Sequence, residues 1–246
     1  MTVWAIVPVK PLRRGKSRLS VVLDEDDRQA LNHCLLENTL VTLKSIAQIE
    51  HVLVVSRDPQ ALSLARSLQA RTIQEAGAPH LNQALERATI FARRHAVSAV
   101  LVVPADLPLI NTLDIEAVLE MGKNPPVVVI SPDRHRLGTN ALLISPPDLL
   151  QFQFGADSFQ KHSSQALQVG ARLEICDRPA IALDLDLPED LSLVRRQMQM
   201  LDALLVEGLP ISIGDGEVGT NGSKEKTNQP CADHIEAIGS GGQDAE

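Results

Sequence analysis

The chain opens with a continuous apolar run, Val3 to Val9, and shorter runs return at His51 to Val55, Ala99 to Val103, Pro126 to Ile130 and Ala141 to Ile144. Short apolar runs without polar alternation mark strands buried on both faces. Arg71 to Gln74 reads as a further short strand. Between the strands the period changes. Asp24 to Asp27 supplies acids for a helix N-terminus, and Leu31, Leu35, Asn38, Thr42 and Ile46 continue at helical spacing on one mostly apolar face. Helices are likewise predicted over Ala61 to Leu68, Leu81 to His95, Thr112 to Met121, Ser158 to Val169 and Pro188 to Leu205. Gly170 stands where a helix C′ residue belongs, and Pro188 opens the last helix at its first turn. Strand and helix alternate from the start, which predicts an α/β fold with a parallel sheet covered on both faces.

The pattern stops near residue 206. Eight of the 14 glycines lie between Gly208 and Glu246, among Asn, Ser and acids, with no aromatic residue. The expected organisation is one globular domain over 1–206 and a disordered tail over 207–246. The 246-residue chain is 44% apolar, enough for one sizeable core. A net charge of −8 argues against nonspecific nucleic-acid binding, and 2% aromatics with no Tyr argues against base-stacking surfaces. No apolar stretch approaches the roughly 20 residues of a membrane span, and no basic leader precedes Val3. The three cysteines, Cys34, Cys176 and Cys231, form no CxxC and no zinc spacing. A reducing cytoplasm is the expected location. No Walker A pattern is present, and no G-x-G-x-x-G sits between a strand and a helix.

Four constellations carry candidate chemistry. Leaving the first strand, Lys10 to Arg18 holds five basic residues in an acidic chain, with Gly15 among them. A basic loop at the carboxyl end of strand one is a phosphate site by charge and position, or else ordinary surface charge. The Ala99 to Val103 strand runs into Pro104-Ala105-Asp106-Leu107-Pro108, placing a carboxylate where open α/β sheets bind ligands. Asp184 and Asp186 alternate with leucines, so both point to one side of an extended segment. Convergence of these acids with Asp106 would call for a cation such as Mg²⁺; alternatively Asp186 caps the helix opening at Pro188. The third is Ser131 to Ala141, with Arg134, Gly138, Thr139 and Asn140, either an acceptor-binding loop or a turn with solvated arginines. The fourth is Phe152 to Phe159, where Asp157 or Ser158 is a helix cap or the helix start binds an anion. His162 one turn on, His95 and Cys34 read as structural or surface residues. No Ser-His-Asp or Cys-His arrangement is readable.

In order, the segments Pro8 to Leu12, Gly15 to Leu19, Val55 to Asp58, Leu81 to Leu85, Pro104 to Pro108, Gly138 to Leu142, Phe154 to Ser158 and Leu183 to Asp186 form a pattern. The chain resembles the 2-phospho-L-lactate and phosphoenolpyruvate guanylyltransferases of deazaflavin coenzyme (F-420) biosynthesis over about residues 3 to 195. The resemblance implies a three-layer α/β/α nucleotidyltransferase fold of the glycosyltransferase-A type with a mostly parallel mixed sheet. It implies transfer of GMP from GTP to a three-carbon phospho-acid with release of pyrophosphate. Phosphoenolpyruvate is favoured over 2-phospho-L-lactate or 3-phosphoglycerate. Mg²⁺ is the implied cofactor, held by Asp106 and Asp186 with Asp184 as helper. Lys16, with Asp106, is implied as catalytic. Lys16 and Arg18 would hold the triphosphate with Lys10 beside them. Glu75 to Asn82 would lie near guanine, with Asn82 the main contact. Thr139, Gly155 and Ser158 would hold the acid. A homodimer is common in the family. The chain departs from the family at His80, where glycine is usual, at Leu187, where threonine is common, and at Arg136-Leu137, where glycines are frequent. Another nucleotide and acceptor pair on the same fold, or a binding domain without turnover, are the alternatives.

Overall fold

The computed structural model describes residues 1–76, 80–206 and 235. Its strands are β1 (Val3–Val9), β2 (Ile49–Ser56), β3 (Arg71–Gln74), β4 (Ala99–Val102), β5 (Val127–Pro132), β6 (Thr139–Ser145) and β7 (Arg172–Ile175). They form one sheet in the order β3-β2-β1-β4-β6-β5-β7. The helices are α1 (Glu25–Ser45), α2 (Pro59–Ser67), α3 (Leu81–Arg93), α4 (Thr112–Met121), α5 (Ser158–Gln168), α6 (Pro179–Ala182) and α7 (Pro188–Val206), with a short 3₁₀ helix at Ser17–Val21.

The uninterrupted apolar strands are explained by what covers them. Along β1, Val3, Ala5 and Val7 pack into one core with residues of α1, α2 and α4, while Trp4 and Ile6 pack into another with residues of α3. The same alternation divides Val52 and Val54 from Leu53 and Val55, and Val127 and Val129 from Val128 and Ile130. Both faces of the sheet are buried, so no polar alternation survives in the sequence. The result is the expected three-layer α/β/α architecture.

The sheet is not wholly parallel. β6 runs antiparallel to both β4 and β5, whereas the β1–β2, β1–β4, β2–β3 and β5–β7 pairs are parallel. Only residues 133–138 separate β5 from β6, too few for the helical crossover that a parallel pair needs. The sheet is thus the mostly parallel, mixed one that the resemblance implies, with β6 as the antiparallel strand that strand and helix alternation alone did not show. β7, α6 and the 3₁₀ helix were not expected. β7 is a four-residue strand with one exposed and three half-buried residues, so it leaves no apolar run to read.

A third cluster lies beside the main cores. Leu19 and Leu23, the start of α1 at Leu31 and Leu35, the segment Leu183–Leu185, and Leu191, Val194 and Met198 of α7 pack together. Ile235 is fully buried among them, and its carbonyl oxygen accepts from Arg195 Nε at 3.1 Å. The rest of the tail expected to be disordered, residues 207–234 and 236–246, lies outside the described residues. Cys34, read from the sequence as a structural or surface residue, is disulfide-bonded, while Cys176 is a free, buried thiol. Among the described residues no helix is long and apolar enough to cross a membrane.

Candidate active site

Strand order reverses direction between β1 and β4, and the loops after these two strands open a crevice at the carboxyl edge of the sheet. The loop after β1 carries Lys10 to Lys16. It is built by side chains from two other elements. Asp58, which follows β2, accepts from Leu12 N at 2.7 Å and from Gln60 N at 2.9 Å, so one carboxylate ties the loop and caps α2. Asn32 of α1 donates to the Leu12 carbonyl at 2.6 Å. Gly15 lies against that amide, and a Cβ there would fall 2.6 Å from Asn32 Nδ2. Lys16 then takes a left-handed backbone, φ 56°, and turns its side chain inward.

The Lys16 ammonium sits between two carboxylates, 3.2 Å from Asp106 Oδ2 and 2.9 Å from Asp186 Oδ1. The acids approach because their backbones are joined: Leu185 N donates to the Asp106 carbonyl at 3.0 Å. Burial disfavours the charged ammonium, but the two facing carboxylates outweigh it and hold the Lys16 pKa above its usual value. Burial would likewise raise Asp186. The Lys16 charge and hydrogen bond, helped by Lys10 and Arg18, bring it below the usual carboxylate range instead. Asp184 has no such cation, and burial together with the Asp106 and Asp186 charges pushes its carboxyl up. Three acids therefore share one electrostatic neighbourhood, as the sequence suggested. Among the described residues, however, no group of three or more His, Cys, Asp or Glu is placed to hold a metal by itself.

Capping of the last helix falls to Asp190 and not to Asp186. Asp190 Oδ2 accepts from Asp186 N at 2.9 Å and Leu187 N at 2.7 Å, which leaves the Asp186 carboxylate facing the crevice. Arg134 in turn pairs with Asp190 at 2.6 Å. Neither role was visible in the sequence beforehand, although the Pro-Glu-Asp helix start was the signal that could have assigned the cap.

The 133–138 turn and the start of α5 form the far wall. Asp133 Oδ1 accepts from His135 N and Leu137 N, and Oδ2 accepts from Gly138 N at 2.8 Å. A Cβ on Gly138 would lie 2.7 Å from Asp133 Oδ2. Gly138→Ala must therefore displace a carboxylate held by three amides. A loss of about 1–3 kcal/mol is expected in urea unfolding, with an unchanged Tm as the contrary result. Phe159 N donates to the Leu137 carbonyl at 3.1 Å, which ties this turn to the first residues of α5. Thr139 and Ser158 are both buried, and Gly155 has φ 124°, a conformation that favours glycine. Asp157 occupies the N-cap position of α5 with a left-handed φ of 56° and makes no side-chain cap bond. Asn140 Nδ2 links this wall to the acids, lying 2.9 Å from the Ile181 carbonyl and 3.5 Å from Asp184 Oδ1.

Asn82 is held by the segment that leads into α5. Its amide donates to the Phe154 carbonyl at 3.2 Å and accepts from Phe154 N at 2.8 Å, tying α3 to the segment before α5. Of the loop assigned to guanine, Gly77 to Pro79 lie outside the described residues, and His80 begins α3 without a side-chain cap bond.

His162, read from sequence as structural, is fully buried within this wall. Burial first, and the Lys161 charge second, lower its pKa from 6.5 to about 4. An unfolded chain then binds a proton that the folded one refuses between these values. Stability is full above about pH 6.5 and falls as the pH drops toward 4, by up to about 3 kcal/mol. Urea unfolding at pH 7 and pH 4.5 checks this, since His162→Gln should lose less stability on acidification than the wild type. An equal loss in both would contradict it.

The chain is similar to known proteins in both sequence and fold. The family model for guanylyl transferase, CofC like, matches residues 3–195. A phosphoenolpyruvate guanylyltransferase of Rubrobacter xylanophilus is 47% identical over 192 residues, covering 78% of this chain and 93% of that protein. A 2-phospho-L-lactate guanylyltransferase of Methanocaldococcus jannaschii is 34% identical over 187 residues, covering 76% and 79%. Among solved structures, a nucleotidyl transferase from a Methanothermobacter species superposes with TM-score 0.59 at 16% identity, covering 81% of this chain and 99% of that one. A 4-diphosphocytidyl-2C-methyl-D-erythritol synthase gives TM-score 0.56 at 13% identity, covering 79% and 98%. At such identities these two structures speak for the fold alone. The family match spans most of the described chain and contains every residue of the crevice, and so the chain belongs to the CofC-like guanylyl transferases.

Proposed function

We propose that this guanylyltransferase joins GMP from GTP to the phosphate of a three-carbon phospho-acid, with phosphoenolpyruvate favoured. The observation that carries the reading is the Lys16 ammonium lodged between Asp106 and Asp186 at the switch point of the sheet. It is a cation site of two carboxylates, with Lys10 and Arg18 close enough to act on Asp186. Two hard oxygen donors with open positions suit Mg²⁺, which commonly takes one or two carboxylates and fills its shell with phosphates and water. Asp106 and Asp186 would hold the ion, and Asp184 would lend charge from behind. When bound, the ion neutralises phosphate charge as it develops on the transferring group.

The residues of the chain supply the rest. Lys16, displaced from the acid pair, reaches the triphosphate, and Lys10 and Arg18 add positive charge beside it. An oxygen of the acid's phosphate attacks the α-phosphorus of GTP. The bond from that phosphorus to the bridging oxygen breaks, and pyrophosphate carries off the electron pair. The nucleophile is already anionic, so no general base is needed, and positioning with charge neutralisation accounts for the catalysis. Thr139, Gly155 and Ser158 line the wall where the acid's phosphate and carboxylate would bind. The preference for phosphoenolpyruvate rests on the greater likeness to a relative of that name.

Pyrophosphate release tests the reading, with GTP, ATP, CTP and UTP each paired with phosphoenolpyruvate, 2-phospho-L-lactate and 3-phosphoglycerate in Mg²⁺. Release with GTP and one acid, plus the matching guanosine diphosphate adduct by mass, is expected. Release with another nucleotide, or binding without turnover, would replace it.

A further inference from the structure

His162 touches none of the acids and faces no solvent, yet both of its ring nitrogens are engaged. Nε2 lies 3.0 Å from Gln153 N, and Nδ1 lies 3.1 Å from Thr139 Oγ1. The first contact fixes the second. A backbone N–H can only donate, so Nε2 must present a lone pair. A protonated ring is excluded by the same contact, in agreement with the burial that keeps it neutral. The single ring proton therefore resides on Nδ1 and is donated to Thr139 Oγ1.

A threonine hydroxyl has one proton of its own. With an Oγ1 lone pair occupied by His162, that proton is left without an acceptor among the described residues. Thr139 sits at the start of β6 beside Asn140, whose amide reaches Asp184, and across from the 155–159 segment that Phe159 ties to Leu137. Thr139 is where the chain would meet the acid substrate. Its hydroxyl is thus set as a donor before any substrate arrives.

We infer that His162 is a positioning residue that holds the Thr139 hydroxyl as a hydrogen-bond donor for an anionic oxygen of the acceptor. The relay runs from Gln153 N–H through the imidazole to Thr139 and ends at the substrate. It favours a phosphate or carboxylate oxygen over any group that would itself donate. A fixed donor raises affinity by sparing the ligand the loss of hydroxyl freedom. Phe154, edge-on to the imidazole at 5.0 Å, and its clasp by Asn82 keep the ring in place. This inference rests on the acceptor wall of the proposed function, so its test separates the two.

The test uses steady-state kinetics with GTP and phosphoenolpyruvate varied in turn. His162→Gln keeps an acceptor near the Nε2 position but removes the Nδ1 donor. It should raise KM for phosphoenolpyruvate about tenfold and leave KM for GTP unchanged. His162→Asn, which returns an N–H near the Nδ1 position, should recover most of the loss. The Thr139→Val, His162→Gln double variant should be no worse than Thr139→Val, because the pair acts as one unit. Equal rises in both KM values, or additive losses, would overturn the inference. A wild-type readout guards against variants that do not fold. ¹⁵N NMR of the imidazole at pH 7 should show the proton on Nδ1, and a proton on Nε2 would overturn the inference by itself. If the folded wild type turns over no phospho-acid, the proposed function fails, while the tautomer still decides whether the relay exists.

Discussion

Asp106→Asn is expected to lower kcat by about a thousandfold or more while the protein folds normally, the largest effect of any single substitution in the crevice. The substitution is isosteric and removes one charge. The bond that joins the acidic segments uses the Asp106 carbonyl, donated to by Leu185 N, and so survives. The side chain is 34% exposed, so no buried charge is left stranded when it becomes an amide. Lys16 retains Asp186 at 2.9 Å. What disappears is half of the carboxylate pair able to hold a divalent cation against the triphosphate. Asp184 also loses a charge that raises its pKa, so its carboxyl should titrate lower in the variant. Thermal melting and single-turnover kinetics on the same preparation check the prediction. Near-normal turnover at an unchanged Tm would remove Asp106 from the chemistry.

Lys16→Met should cost about a hundredfold to a thousandfold in kcat/KM, less than the loss of Asp106. The Lys16 side chain is 6% exposed, whereas its two partners are 34% and 44% exposed. Water screens the carboxylates once the ammonium is gone, and methionine fills the buried stem. The stability change is therefore small, about 1 kcal/mol or less in either direction. The two acids, freed of their cation, should repel one another, and the Asp186 pKa should rise toward the ordinary range, since Lys16 is the chief influence lowering it. Excess Mg²⁺ should then bind the nucleotide-free variant more tightly than it binds the wild type, because no ammonium competes for the pair. Isothermal titration of Mg²⁺ into both proteins checks this, and weaker binding by the variant would contradict it.

How far the sequence foretold the molecule varied with the kind of interaction. Strands buried on both faces announce themselves as apolar runs, so β1, β4 and the layer order were legible. β7 was not, being a short edge strand with little buried surface. The direction of β6 was implied by the six-residue gap after β5, a signal that strand and helix alternation masked. Asp106, Asp184 and Asp186 were legible as a group because each follows or alternates with leucine and valine. Their joining through the Leu185 N to Asp106 carbonyl bond was not, since it is a backbone contact between segments nearly 80 residues apart. Supporting side chains were hidden for the same reason. Asp58, Asn32, Asp190 and Asn82 serve distant backbone groups, and no local spacing records such a partner. His162 read as a bland helical histidine, and only its two hydrogen bonds give it a role. Asn82 kept its place near the crevice but spends both ends of its amide on Phe154.

The central claim is that the crevice joins two phosphates, one from GTP and one from a small acid. ³¹P NMR of the wild-type protein with GTP, phosphoenolpyruvate and Mg²⁺ tests it most directly. The account predicts loss of the γ, β and α signals of GTP together with the phosphoenolpyruvate signal. In their place should come free pyrophosphate and two mutually coupled resonances of an unsymmetrical diphosphate. Unchanged GTP and phosphoenolpyruvate in the presence of folded protein, or GTP hydrolysis with the acid untouched, would contradict it.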